Sequence, residues 1–255
     1  MILLLSLLLA HFSADYYLQK HSWIMSKVKY HEKSLGLFYH ILVHVGVTSI
    51  ALFLATNEWN LVVTCAMIFI ICTHYAIDIW KTYQTFITRY YIIDQAGHLS
   101  MIVIVSWLLN SYYPELLTQS HVLLENPLIS TQTVLLWALA VCFVFNPTGI
   151  SFMVFFKPLT EKHDIGIKEN DSDVFNNFNE GALTRFLLLV MFGLGFGYLI
   201  FILIAGHYKK YVDMLSTSKN MSNEAFATKI QFHKLYLIAN YFVGISLGWL
   251  LNAMT

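Results

Sequence analysis

Long apolar runs alternate with short polar stretches along the chain. The runs cover residues 1–19, 35–56, 60–80, 92–112, 131–156, 183–206 and 234–252. Each is close to the roughly 20 residues that an α-helix needs to cross a bilayer. Helices satisfy every backbone hydrogen bond internally, as lipid demands. The pattern predicts an all-α polytopic transmembrane helical bundle of about seven membrane segments. Pro147 interrupts the fifth run. It lacks an N–H and its ring clashes with the preceding turn, so the helix should kink or end there. The following PTGISFMVFFKP is expected to run along the membrane interface.

Charge orients the segments. The stretch 20–34 holds Lys20, Lys27, Lys29 and Lys33, and the third connection holds Lys81 and Arg89. The second connection, around Asn57 and Glu58, and the fourth, 113–130, hold neither Lys nor Arg. This alternation puts the first and third connections in the cytoplasm. The polar stretch 157–182, with Lys157, Lys162 and Lys168, also reads as a cytoplasmic loop. Lys209, Lys210 and Lys219 break the alternation if every run crosses once. Four regions follow: a four-helix membrane half over 1–112, an extracytoplasmic loop and kinked segment over 113–156, the loop 157–182, and C-terminal membrane helices over 183–255.

Composition supports this class. Hydrophobic residues make up 57% of the chain, charged residues only 12%, and the mean hydropathy is +0.60. Soluble domains carry about 25% charged residues. The formal net charge is zero and no basic face stands out, which excludes a nucleic-acid partner. Cys65, Cys72 and Cys142 all lie in apolar runs and read as buried packing residues. The N-terminus lacks the basic region of a cleavable signal peptide.

Polar residues inside the first four runs change the picture. His11 and Asp15 lie in the first, His40 and His44 in the second, His74 and Asp78 in the third, and Asp94 and His98 in the fourth. Every pair is spaced i, i+4, which stacks both side chains on one helix face. Counted from the cytoplasmic ends, Asp15, His40, Asp78 and Asp94 form a shallow layer. His11, His44, His74 and His98 form a deeper one, about 6 Å further in at 1.5 Å per residue. A carboxylate in a membrane helix costs on the order of 3 kcal/mol, so these groups should face one another.

Gathered imidazoles and carboxylates are the ligand set for Zn, with Mn or Fe as alternatives. The eight residues would serve one or two ions. The plainer alternative is that each Asp merely bonds a His and ties the helices together. Asp15 and Asp94 are the candidate general bases. Gln19, Lys81 and Gln95 are candidate substrate contacts, although Lys81 is more simply a residue that snorkels to headgroups. Trp23, Trp80, Tyr16 and Tyr17 read as interface anchors. Gly193 and Gly197, like Gly244 and Gly248, have the GxxxG spacing of closely packed helices.

The motifs HFxxDxxLQ, HxxxH, HxxIDxxK and DQxxH, in that order over residues 11–98, resemble a bacterial membrane family catalogued as domain of unknown function 3307. EGALTRF, with Gly181 and Arg185, resembles a Gly- and Arg-containing helix start of that family. The resemblance implies a multi-pass protein of the bacterial inner (plasma) membrane and names no activity.

The functional expectation is a metal-dependent hydrolase, its site open to the cytoplasm, acting on a lipid or lipid-linked substrate. A metal-ion or proton transporter is the alternative, since His and Asp chains also line such paths. Against a conduit, outer stretches such as VTSIALFLAT hold no ionisable group. A non-catalytic scaffold or sensor with a structural His/Asp core is the third reading.

Overall fold

A computed structural model describes residues 1–85, 87–114, 130–162, 172–217 and 223–255. Among them all regular structure is helical. Ten α-helices are described: α1 Ile2–Ser13, α2 His21–Tyr30, α3 Leu35–Thr56, α4 Leu61–Thr82, α5 Thr88–Tyr112, α6 Thr131–Val144, α7 Asn146–Lys162, α8 Ser172–Gly193, α9 Ile200–Thr217 and α10 Asn223–Met254. The helices are bounded by local chemistry. Ser34 Oγ accepts from Leu37 N at 3.1 Å and starts α3, which Asn57 ends in the left-handed region at φ 51°. Asn60 Oδ1 starts α4 by accepting from Val63 N at 3.1 Å.

Among the described residues, five helical stretches are long and apolar enough to cross a membrane: Leu35–Thr56, Leu61–Thr82, Thr88–Tyr112, Thr131–Phe156 and Ile230–Met254. A sixth arises if Ile2–Leu18 and His21–Lys33, bent by 89°, form one broken span. Their outward residues are apolar, among them Leu42, Ile50, Phe53, Ile68 and Trp107.

Several expectations need correction. Residues 20–34, the first connection, are mostly helical, because α2 occupies most of the stretch. As expected of Pro147, α6 ends at Val144 and a new helix starts at Asn146, although Thr131–Phe156 as a whole is long and apolar enough to cross a membrane. The stretch 157–182 is helical up to Lys162 and from Ser172, while 163–171 lies outside the described residues. The run 183–206 is two helices. It breaks between Gly193 and Ile200, where Gly195 takes φ 79°, a conformation that suits glycine. Cys65 and Cys72 are exposed on helix surfaces and Cys142 is half-buried, so the cysteines are not core residues.

Two compact units are present, Met1–Cys142 and Phe143–Thr255. In the first, Leu3, Leu7, Leu52, Val63, Ile102 and Leu109 head an apolar core. They come from the start of α1, the end of α3, the start of α4 and the end of α5. These are the helix ends remote from the lysine-bearing segments.

The second unit is built on α8 against α10. A Cβ on Gly244 would lie 2.7 Å from Leu188 Cβ, and one on Gly248 2.8 Å from Leu189 O. This GxxxG pair therefore does permit close helix packing. Gly193 and Gly197 do not act this way, since Gly193 ends α8 and Gly197 lies in the turn beyond it. Arg185 is fully buried. Its Nε donates to Val144 O at 2.6 Å, its Nη2 to Phe145 O at 3.3 Å, and its Nη1 to Asn240 Oδ1. Pro147 deprives the end of α6 of one donor, and Thr148 Oγ1 supplies another by bonding Phe143 O at 2.6 Å.

Candidate metal centre

The polar pairs of the first four membrane runs meet inside the first unit. The α-helical i, i+4 spacing aligns each pair, and the segment carrying Asp15 adds a local feature. Ala14–Leu18 forms a π-helical turn that continues α1, a geometry often found at functional sites. Asp15 Oδ2 remains 3.6 Å from His11 Nε2.

Asp15 Oδ1 stands 2.8 Å from His44 Nε2, 3.3 Å from His40 Nε2 and 3.9 Å from His74 Nε2. His40 Nε2 is also 3.3 Å from Asp78 Oδ2 and 3.2 Å from His74 Nε2. His98 Nε2 lies 3.6 Å from Asp78 Oδ1 and 3.4 Å from Asp94 Oδ1. All eight residues thus converge, and seven are buried, with Asp15 partly so. Five imidazoles present Nε2 to the same region as three carboxylates.

A tetrahedral ion with bonds of about 2.0–2.1 Å has ligand atoms roughly 3.3 Å apart. The spacings above scatter around that edge length. Among the described residues two groups could hold an ion: Asp15, His40, His44 and His74, and His74, Asp78 and His98. Within each, one ligand atom per residue lies within 4.8 Å of all the others. Several polar atoms have no hydrogen bond despite full burial: His11 Nε2, His40 Nδ1, Asp94 Oδ1 and Gln19 Nε2. Leaving such an atom unmet costs about 1–3 kcal/mol.

The lysine-bearing end of the cluster is closed by charge. Lys27 Nζ donates to Asp78 Oδ2 at 2.7 Å, and Lys81 Nζ donates to Asp94 Oδ2. Gln95 Nε2 donates to the same Asp94 oxygen at 2.9 Å, and Tyr16 OH donates to Gln95 Oε1 at 2.9 Å. Lys81 therefore bonds a site carboxylate, and Tyr16 supports Gln95. On the opposite side a small pocket is bordered by His11, His44, His74 and His98, with Leu7, Thr48, Ile70 and Ile102 in its walls.

Sequence reasoning missed Lys27 as a site residue. It sits on α2, in a stretch read as a loop, and reaches the site because α2 lies against α3. The contact depends on Gly36, where a Cβ would fall 2.6 Å from Trp23 O. His31 anchors the end of α2. Its ring stacks on Tyr83 with centroids 4.2 Å apart, and its Nδ1 is 3.0 Å from Thr82 Oγ1. The one hint in the sequence was a glycine in the first turn of α3, too weak to locate a partner.

No curated protein and no solved structure matches the chain. Residues 3–124 match the family described as "Protein of unknown function (DUF3307)". All eight converging residues fall inside that stretch. Over residues 3–124, then, the chain is similar to the DUF3307 family.

Proposed function

We propose that the protein is a metal-dependent hydrolase of the bacterial inner membrane, acting on a lipid or lipid-linked substrate. One observation carries the reading: buried imidazole and carboxylate donors face one another at 2.8–3.9 Å, spacings that match the ligand edges of a metal ion. Zn suits this donor set best, and Mn or Fe also fit. Such an ion, when bound, renders a water nucleophilic near neutral pH and polarises a phosphoryl or acyl oxygen.

The chain's own groups supply the remainder. Asp94 Oδ1 is buried without a hydrogen bond, which suits a base that takes a proton from the attacking water. Lys81 and Gln95 hold its other oxygen and fix its orientation. Asp15 is the corresponding base on the opposite side of the cluster. The Lys81 side chain is 37% exposed, so its ammonium can also meet an anionic headgroup. Gln19 Nε2 is a donor with no acceptor, available to a substrate oxygen. Water oxygen adds to phosphorus or carbon, the bond to the leaving oxygen breaks, and the proton held on Asp94 passes to that oxygen.

The apolar core beyond the cluster supports a one-sided site over a conduit. A second reading, a non-catalytic bundle glued by His/Asp contacts, is favoured by one observation: Lys27 and Lys81 already neutralise Asp78 and Asp94.

The test is elemental analysis of detergent-purified protein beside a His44→Ala, His74→Ala variant, followed by assays on phospholipids and lipid-linked phosphates. Stoichiometric metal that vanishes in the variant, with hydrolysis that chelation abolishes and added metal restores, supports the enzyme. A folded protein that takes up no metal overturns it in favour of the glued bundle. Metal without turnover on either substrate class overturns the hydrolase assignment alone.

A further inference from the structure

The two groups of donors raise the question of how many ions the cluster holds. Bonds of about 2.0–2.1 Å require all ligands of one ion to lie within roughly 4.2 Å of one another. The donors do not form a single set of that kind. At a looser limit of 4.8 Å they fall into two overlapping sets that share only His74. One imidazole nitrogen binds one ion, so His74 cannot complete both.

Assigning His74 to the second set resolves the overlap. Asp15, His40 and His44 remain as one triad, from the α1 extension and α3. His74, Asp78 and His98 form the other, from α4 and α5. Each contains two histidines and one carboxylate, a ligand combination that leaves positions open for water and substrate. Each also has beside it a buried atom that makes no hydrogen bond. His11 Nε2 stands 3.6 Å from Asp15 Oδ2, and Asp94 Oδ1 stands 3.4 Å from His98 Nε2.

The triads abut. His40 Nε2 of the first is 3.2 Å from His74 Nε2 and 3.3 Å from Asp78 Oδ2 of the second. Ions in adjoining triads this close would sit at the separation of about 3.5–4 Å typical of two-metal sites. We infer that the cluster is a two-ion centre, one ion on Asp15, His40 and His44 and the other on His74, Asp78 and His98. This rests on the reading of the cluster as a metal site.

The experiment loads the full-length, detergent-purified protein with Mn2+, removes free ion, and measures bound Mn per chain with the electron paramagnetic resonance spectrum. The expected result is two Mn per chain with a spin-coupled spectrum. His44→Ala and His98→Ala should each retain one Mn, with the uncoupled hyperfine pattern of an isolated ion. One Mn per wild-type chain, uncoupled, overturns the two-ion centre and leaves the metal site standing. No Mn in the folded wild type overturns the metal site itself. Should either variant fail to fold, wild-type stoichiometry and spin coupling decide the question alone.

Discussion

The Nε2 atoms of His40 and His74 face each other across 3.2 Å, and His40 Nε2 is also 3.3 Å from both Asp15 Oδ1 and Asp78 Oδ2. One ring N–H can point at only one of these three neighbours. A cation among them satisfies all at once, and ligand that binds only the folded state stabilises it. At free metal a hundredfold above its Kd the gain is about 2.7 kcal/mol. Chelation should therefore lower the thermal midpoint in detergent, and His40→Ala should blunt the response. Equal midpoints with and without chelator in the wild type would defeat this.

Lys27 and Asp78 form a buried ion pair, with side-chain exposures of 11% and 8%. Removing one partner leaves the other charge uncompensated at a cost of about 3–5 kcal/mol. Lys27→Met should destabilise the protein by that order, and Asp78→Asn in the same background should recover part of the loss. A denaturant titration of the four proteins gives the coupling, expected at about 1–3 kcal/mol. Additive single effects would show that the pair does not interact.

Gly36 is the docking point of α2. Gly36→Val would drive a side chain into the Trp23 backbone, 2.6 Å from where its Cβ must go, at about 1–3 kcal/mol. Because α2 is short and held from one side, the strain should free it. Hydrogen exchange over 21–30 is expected to rise while that of 61–82 stays unchanged. Unaltered exchange in α2 would refute the docking.

In the second unit, Arg185 bonds Val144 O, Phe145 O and Asn240 Oδ1 through three different nitrogens. A lysine has one nitrogen on a flexible stem and cannot reproduce that fork. Arg185→Lys should cost about 3 kcal/mol, as hydrogen bonds from a charged group are worth about 1.5–3 kcal/mol each. Thermal unfolding followed by circular dichroism checks this, and a midpoint equal to wild type would mean the fork is dispensable.

The legible part of the site follows from local periodicity. A helix repeats every 3.6 residues, so His11 and Asp15, or His74 and Asp78, must share a face whatever the rest of the chain does. The cost of polar groups in lipid then makes their convergence the economical arrangement. The same local logic cannot find Lys27. Its placement depends on α2 folding back by 89° and on a glycine nine residues later that admits it. Nor could hydropathy separate α8 from α9. GLGFG is apolar throughout, and the break comes from the backbone of Gly195.

Helical class, membrane character and the ring of His/Asp pairs were thus written into the order of residues, because bilayer thickness and helical period act on every segment independently. Which lysine neutralises Asp78, which carboxylate Lys81 holds and how Tyr16 supports Gln95 were decided only by tertiary structure. Those relations depend on contacts between helices separated by 13 to 79 residues of chain. No local pattern carries distances across such separations; packing alone sets them.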